Sequence, residues 1–258
     1  MNLSGWLRAE ILGPGFLLVF TILVYFFRYK ESRALARRAD QEFRQVAAFA
    51  RLRQAIGQAL ESGKGLHTSI GSGGVIGEQG AAGLVGISML QVITQKSAKG
   101  DQPPLATSGD GALATLSQDT QHHAYQTAGV ELQYKADQSQ MTGATPFSYA
   151  AGTMLSITDQ PLQASLLAGH FGPEVALIAE AAERSSQVVI GGSDGMPAQT
   201  VLLTTTDETL IGEELFAGGA YLHAGPTHTA SLRAQDVLRW VIILFMIFGV
   251  ILKLAGAW

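Results

Sequence analysis

The sequence predicts an α/β fold with a largely parallel sheet, flanked by one N-terminal and one C-terminal transmembrane helix. Between residues 63 and 230, a short apolar or β-branched run is followed four times by a glycine-rich turn and then by a helical segment. This succession is typical of strands that lie parallel in one sheet and are joined by helices. A long apolar run lies near each end of the chain, and such runs predict helices that cross a bilayer.

The run at residues 11–27 contains no charge, and we expect residues 1–30 to form the N-terminal transmembrane helix. Trp6 and Tyr25 are separated by about 28 Å of helix, which matches the distance between the two membrane interfaces. Only Arg8 precedes the run, whereas eight Lys or Arg residues follow it within residues 28–53. A cleaved signal peptide has the opposite charge pattern, so this helix is predicted to be retained.

Residues 31–62 are predicted to form an amphipathic cytoplasmic stalk helix. They contain no proline, and Phe49, Leu52 and Ile56 recur at helical spacing. Two arrangements remain open at this point. The stalk forms a coiled coil with another subunit, or its later part packs on its own α/β domain as an ordinary first helix.

Residues 63–230 are predicted to form the α/β cytoplasmic domain. The predicted strands cover residues 66–70, 105–107, 164–168 and 188–190, and the helices after them cover 77–95, 112–128 and the segments that follow Pro173 and Pro197. Residues 130–134 and 141–157 are expected to supply another strand or a hairpin, and residues 210–222 a last helix. The small residues of the helix at 77–95 would let another backbone approach it closely.

Residues 236–258 are predicted to form the C-terminal transmembrane helix. Trp240 and Trp258 bracket its apolar stretch, and Lys253 can extend its ammonium group to the membrane surface. The alternative is a buried core helix, but runs this apolar seldom occur in soluble domains. Because basic residues favour the cytoplasmic side, we expect a two-pass protein of the inner (plasma) membrane with both termini outside and the main domain in the cytoplasm.

Composition excludes several classes of protein. The chain has 258 residues, 15% of them charged, 30 glycines and no cysteine, so disorder, disulfides, zinc-thiolate sites and thiol catalysis are excluded. Eight bases oppose three acids in residues 28–53, whereas six bases oppose sixteen acids in residues 54–235. An acidic domain lacks the basic surface that nucleic-acid binding requires, so no nucleic-acid partner is expected.

Glycine-rich turns at strand ends indicate where a ligand would bind, because such turns in open parallel sheets meet at the carboxyl edge. The turns that resemble one another are residues 71–74, 108–111 and 192–195. The ligand-binding residues predicted from these turns and from the turn at residues 169–172 are Ser72, Ser108, Asp110, His170, Ser193 and Asp194. The alternative for the two aspartates is that they cap helices.

No complete cofactor, metal or catalytic motif is present. The glycines at 71, 73, 74 and 77 come near the dinucleotide-binding spacing without matching it, and no phosphate-loop sequence occurs. Asp119, His122 and His123 share one face of a predicted helix and could bind a metal, but exposed polar residues are the simpler interpretation. A serine, His170 and an aspartate could form a triad, but no G-x-S-x-G turn supports one. The sequence therefore indicates no cofactor, no metal and no assignable catalytic residue.

Several runs of the sequence are distinctive. They are SGKGLHTSIGSGG (62–74), TSGDGALATLSQDT (107–120), TPFSYAAGT (145–153), GHFGPEVALIAEAAER (169–184), GSDGMPAQ (192–199), IGEELFAGGAYL (211–222) and SLRAQDVLRW (231–240). With these runs the chain resembles a family of uncharacterised bacterial membrane proteins that is defined by a domain of unknown function. The resemblance implies one domain with its membrane helix and carries over no activity.

Two functions are consistent with the sequence. The first is a membrane-anchored homo-oligomeric scaffold or interaction protein, whose partners are the lipid bilayer and copies of itself. Low charge in residues 54–235 favours it, because a surface with few charges can be buried against other subunits; the alternative is a surface unusually rich in Ser, Thr and Gln. The second is a membrane-tethered enzyme or sensor that binds a small polar ligand at the glycine-rich carboxyl edge of the sheet.

Overall fold

The computed structural model describes residues 9–34, 44–185 and 187–254. The chain divides into two compact units. One consists of Met1–Phe43 and Gly225–Trp258, and the other is Arg44–Ala224, which we call the α/β unit. In chain order the elements are α1 (Ala9–Ala34), α2 (Ala47–Ser62), β1 (Gly65–Gly71), α3 (Gly80–Ser97), β2 (Leu105–Ser108), α4 (Gly111–Ala128), β3 (Ser139–Met141), α5 (Pro146–Thr158), β4 (Leu162–His170), α6 (Val175–Arg184), β5 (Val188–Ser193), α7 (Met196–Thr205), β6 (Glu208–Leu210), α8 (Glu213–Phe216), α9 (Gly218–Tyr221) and α10 (Pro226–Leu254).

The six strands form one sheet in the order β3-β2-β1-β4-β5-β6, and every neighbouring pair is parallel. The predicted parallel α/β fold is therefore confirmed. The chain builds outward from β1 to β3 and then returns to the centre at β4, so the strand order reverses between β1 and β4. This order is that of doubly wound dinucleotide-binding folds, in which ligands bind outside the carboxyl ends of the strands at the reversal.

Helices cover both faces of the sheet. On the first face, α2 and α3 pack on the central strands around Phe49, Met89, Ile93 and Leu166. On the second face, α5, α6 and α7 enclose a core that includes Tyr149, Leu167, Phe171 and Ile178. A parallel sheet needs this double cover because its strands expose side chains on both sides.

Close packing of α3 on the sheet depends on a glycine. A Cβ at Gly86 would collide with the backbone oxygen of Ala168 in β4, so only glycine lets the helix lie this close to the strand. The expectation that the small residues of this helix permit close backbone approach is therefore confirmed at Gly86.

The part of the predicted stalk that is described belongs to the α/β unit. Helix α2 buries Phe49, Leu52 and Ile56 against the sheet, and the ring of Phe49 stacks on Tyr221 with 4.8 Å between centroids. The apolar face of α2 is thus used within its own chain and is not available for a coiled coil. Residues 35–43 lie outside the described residues.

One helix of the described chain is long and apolar enough to cross a membrane. In α10 the stretch Pro226–Ile251 has a mean hydropathy of 1.9, and only 6% of its most apolar part is buried, unlike a core helix. Helix α1 forms as predicted and packs against α10, but its apolar stretch Pro14–Tyr29 is shorter. At 1.5 Å per residue it covers roughly 24 Å of a hydrocarbon core about 30 Å thick. The predicted two-pass topology is therefore not supported.

Three local predictions are wrong. Residues 131–133 form a turn of 3-10 helix instead of a strand, and most of residues 141–157 belong to helix α5. Thr145 caps this helix and Pro146 opens it, which are strong helix-start signals. The predicted last helix at residues 210–222 is divided into the end of β6 and the short helices α8 and α9.

Candidate functional site

The predicted site residues all lie at the carboxyl edge of the sheet. Ser72 follows β1, Ser108 ends β2, His170 ends β4 and Ser193 ends β5. The turns after these strands are joined by backbone hydrogen bonds: Ser72 N–H donates to the His170 carbonyl at 3.0 Å, and Gly109 N–H donates to the Gly71 carbonyl at 2.9 Å. The sheet thus brings together loops that are up to about 120 residues apart in the sequence.

His170 and Asp194 form the central pair of this edge. The Nδ1 atom of His170 lies 2.7 Å from Oδ1 of Asp194, and the two side chains are 23% and 21% exposed. Gly73 makes room for the His170 side chain, because a Cβ there would stand 2.7 Å from His170 Cβ. Gly195 adjoins the ring, since a Cβ there would be 3.8 Å from His170 Cε1.

This pair defines the hydrogen-bonding state of His170. A carboxylate only accepts hydrogen bonds, so Nδ1 carries the proton that it donates to Asp194. In the neutral imidazole, Nε2 then has a free lone pair, and among the described residues it has no hydrogen-bond partner. The arrangement offers an oriented acceptor beside a carboxylate, as in the histidine-carboxylate half of hydrolytic triads.

Asp110 and Asp194 follow similar turns but have different roles. Oδ1 of Asp110 accepts hydrogen bonds from the backbone N–H groups of Ala112 and Leu113, each at 3.0 Å, and so caps α4. Its other oxygen, Oδ2, lies 3.8 Å from the position of a Cβ at Gly74. Helix α7, by contrast, begins after Gly195 without a side-chain cap. The cap interpretation is therefore confirmed for Asp110 and wrong for Asp194.

The serines of the site differ in accessibility. Ser108 and Ser193 are buried, and their hydroxyl groups hold the turns together: Ser108 donates to the Asp110 carbonyl at 3.1 Å, and Ser193 accepts from Phe171 N–H at 3.2 Å. Ser72 is half-buried and lies on the turn beside His170. Of the predicted site residues, Ser72, Asp110, His170 and Asp194 are the ones with side chains that reach the surface of the edge.

Tyr149 and Glu174 support the site and were not predicted as part of it. The Tyr149 hydroxyl accepts from Gly71 N–H at 3.2 Å and is hydrogen-bonded to Ser69, while burial raises the pKa of this phenol. Glu174 accepts from Gly172 N–H at 2.9 Å and is buried. Tyr149 comes from α5, and the helix-start signal Thr145-Pro146 could have revealed its position.

With this geometry established, the comparisons with known proteins identify the family. A domain of unknown function, DUF6754, matches residues 9–257. The chain belongs to the DUF6754 family. A search of curated proteins finds no match, and a search of solved structures finds none. The match covers α1, the α/β unit and α10.

Beneath the edge, the DUF6754 sheet contains a buried hydrogen-bonded row. Ser165 donates to Gln187 Oε1 at 2.6 Å and therefore accepts from His67 Nδ1–H at 3.2 Å, so His67 Nε2 accepts from Thr107 at 2.9 Å. Burial lowers the pKa of His67 to about 3, which keeps the imidazole neutral. This row crosses β2, β1 and β4 below the site and fixes their register with side-chain bonds.

The other candidate, Asp119 with His122 and His123, lies away from the edge on α4. His122 Nε2 lies 3.3 Å from Glu131 Oε1, and both side chains are largely exposed. Within residues 9–34, 44–185 and 187–254, no group of three His, Asp or Glu side chains is placed to hold a metal ion. We assign these residues to the surface of the unit.

Proposed function

We propose that this protein is a membrane-anchored binding protein whose α/β unit takes up a small polar ligand at the carboxyl edge of β1 and β4. The observation that carries the proposal is the His170–Asp194 pair, which lies partly exposed between glycine turns where the strand order reverses. Open parallel sheets bind their ligands at this position. Glycines that leave the backbone accessible support the same use of the edge.

The chemistry of the pair indicates what the ligand must supply. His170 Nε2 and the carboxylate of Asp194 are both acceptors, so they match a hydroxyl or an amine of the ligand. The same pair could take a proton from that group, which is the step that an enzyme would add to binding. Both a sensor and an enzyme therefore begin with the same complex.

The anchor in this proposal is α10, and the membrane is the inner (plasma) membrane. The bases of residues 28–53 favour the cytoplasmic side for the segment that leads into the α/β unit. Protease treatment of right-side-out vesicles tests this orientation. Residues 44–224 should be protected until the vesicles are opened, and cleavage in intact vesicles would place the unit outside.

The ligand site is tested with pairs of probes that differ by one phosphate. Adenosine and AMP, myo-inositol and inositol phosphate, and ethanolamine and phosphoethanolamine are titrated against the full chain in lipid nanodiscs, with saturation-transfer NMR as the measurement. We expect at least one unphosphorylated probe to bind, and Asp194→Asn to weaken it about tenfold or more, because a hydrogen bond to a charged group is lost.

Matched variants separate this site from general surface binding. His170→Gln is compared with His122→Gln, whose side chain is 42% exposed on α4, and Asp194→Asn is compared with Asp159→Asn at the opposite edge. Only the first member of each pair should lower affinity. Binding that is equally strong in His170→Gln and Asp194→Asn, or no binding of any unphosphorylated probe, would contradict the proposal.

A homo-oligomeric scaffold is the second candidate function. Exposed apolar side chains away from the carboxyl edge, Leu132, Leu155 and Leu203, support it, because such side chains are commonly covered by another subunit. Mass photometry of the solubilised protein tests this function. A single mass near that of several chains supports self-association, and a mass of one chain would exclude it.

A further inference from the structure

Three exposed apolar side chains lie at the carboxyl edge of the sheet, the edge that carries the proposed ligand site. Ile76, Phe147 and Met196 are 96%, 67% and 76% exposed, and each follows the carboxyl end of a strand. Ile76 lies two residues after Gly74, which adjoins Asp110 Oδ2, and Met196 follows Gly195, which adjoins the His170 ring. Phe147 lies two residues before Tyr149, which binds the Gly71 turn. We call Ile76, Phe147 and Met196 the apolar rim.

Charge is divided between the two edges of the sheet. The described loops at the carboxyl edge, residues 72–79, 109–110, 142–145, 171–174, 194–195 and 211–212, contain four acids and no Lys or Arg. The Lys and Arg residues of 63–224 are Lys64, Lys96, Lys99, Lys135 and Arg184, and none of them lies in these loops. They precede a strand, or they lie in or just after the last turn of a helix. The side chains of the carboxyl-edge loops therefore carry net negative charge, which favours a cation over an anion as their partner.

The apolar rim and the acidic loops do not suit a dinucleotide, although the strand order is that of dinucleotide-binding folds. Helix α3 begins at Gly80, and eight residues separate it from the end of β1, so its first turn does not directly follow the glycine turn. The acidic loops would repel a pyrophosphate, and no base compensates for them within these loops. A ligand for this edge has to carry positive charge and an apolar part.

We propose that the ligand is an amphiphile with a primary amine head and a hydrocarbon tail. This rests on the proposed ligand site at His170 and Asp194. The ammonium group donates to His170 Nε2 and is attracted by Asp194 and by Oδ2 of Asp110, while the tail covers the apolar rim. The α/β unit is followed in the chain by α10, which is long and apolar enough to cross a membrane. Amphiphiles are concentrated in membranes.

The head and the tail are tested separately with short probes. Ethanolamine, hexylamine and hexyl sulfate are titrated calorimetrically into nanodiscs that hold the full chain, and the heat from empty nanodiscs is subtracted. We expect hexylamine to bind at least about tenfold more tightly than ethanolamine, since each buried methylene contributes roughly fourfold. Hexyl sulfate, which has the same tail and the opposite charge, should bind at least about tenfold more weakly than hexylamine.

A pair of double variants tests the rim. Ile76→Ser with Met196→Ser removes two exposed side chains and so leaves the core intact. Its control is Leu132→Ser with Leu155→Ser, which removes two exposed side chains outside the carboxyl edge. The rim variant should bind hexylamine no better than ethanolamine, with ethanolamine affinity unchanged, and the control variant should bind both amines as tightly as the native protein does.

The outcomes separate the two proposals. If ethanolamine and hexylamine bind equally well and the binding of both depends on Asp194, the proposed ligand site is supported and the proposal of an amphiphilic ligand is overturned. If hexylamine binding depends on the rim but is unchanged in Asp194→Asn and His170→Gln, the proposed site itself is overturned. If the rim variant instead lowers the oligomer mass in mass photometry and leaves hexylamine binding intact, the rim is an interface between copies of the chain and the amphiphile is overturned.

Discussion

The two faces of the sheet are built from alternate residues of the same strands, yet they differ in chemistry. On the first face, Leu66 of β1 and Leu166 of β4 pack against α2 and α3 in an apolar core. On the second face, their neighbours His67 and Ser165 are hydrogen-bonded across the strands, and Tyr149 is bonded to Ser69. One face is held by close packing and the other partly by directional bonds.

This difference shows how hydrogen bonds within the sheet can hold the turns of the candidate site in place. Apolar packing tolerates small shifts between strands, whereas a row of hydrogen bonds is satisfied at one register only. The polar row lies in the strands below the turns that carry His170 and Asp194, and on the same face Tyr149 is bonded to Ser69 and to the Gly71 turn. The face whose Tyr149 holds the Gly71 turn is thus the one with the more exact geometry.

The largest effect is expected on the apolar face. Phe49→Ala should lower the free energy of unfolding by about 3–5 kcal/mol, because a buried aromatic ring is replaced by a cavity. Urea denaturation followed by circular dichroism measures it. Leu60→Ala on the same helix, where the side chain is exposed, is the control and should cost less than about 1 kcal/mol. Equal losses would show that α2 does not belong to the core.

On the polar face, His67→Leu should lower the free energy of unfolding by about 1–3 kcal/mol. The leucine fills much of the space but leaves Ser165 and Thr107 without their shared partner. His122→Leu on the surface of α4 is the matched variant and should change stability by less than about 0.5 kcal/mol. If His67→Leu is as stable as the native protein, the two faces do not differ in the way described above.

The polar face should also make stability depend on pH. The pKa of His67 is lowered by burial from 6.5 to about 3, so between these values the unfolded chain binds a proton that the folded chain does not. His67 therefore does not lower the free energy of unfolding above pH 6.5. As the pH falls from 6.5 toward 3, it lowers the free energy of unfolding by up to about 1.4 kcal/mol per pH unit. Denaturation of His67→Gln between pH 4 and 7 should show a shallower slope than the native protein, and an identical slope would contradict this account.

The smallest effect concerns the first turns of α4 and α7, which follow Asp110 and Asp194. Asp110→Ala should cost about 1 kcal/mol of stability, because α4 loses its cap. Asp194→Ala should cost less, because α7 has no side-chain cap to lose. Thermal unfolding of both variants provides the comparison, and a larger loss in Asp194→Ala would reverse the assignment of the two aspartates.

The sequence predicts strands well where an apolar run ends at a glycine turn, as in β1, β2, β4 and β5. It does not predict strand order, because order depends on contacts between elements that are distant in the chain. The composition of residues 141–157, which mixes β-branched and aromatic residues with turn residues, favours a strand or hairpin where α5 forms. The helix-start signal at Thr145 and Pro146 outweighs that composition in the fold.

The sequence predicts which turns form the candidate site, but it does not predict the hydrogen bonds that the side chains of these turns make. Asp110 and Asp194 follow nearly the same tripeptide pattern, so local sequence assigns them the same role. Their roles differ because His170, 24 residues before Asp194, is brought to its carboxylate by the pairing of β4 with β5. Tyr149 was missed for the same reason, since α5 reaches the Gly71 turn only in the folded unit.

The contact between α9 and the residue at the start of the α/β unit has a consequence for how this protein can be rebuilt. Tyr221 donates from its hydroxyl to the carbonyl of Arg44 at 2.8 Å, so the first and last parts of the α/β unit meet. A domain whose two ends meet is an insertion that can be removed and replaced by a short linker. By the same geometry, residues 44–224 can be joined end to end and reopened at an exposed loop as a circular permutant.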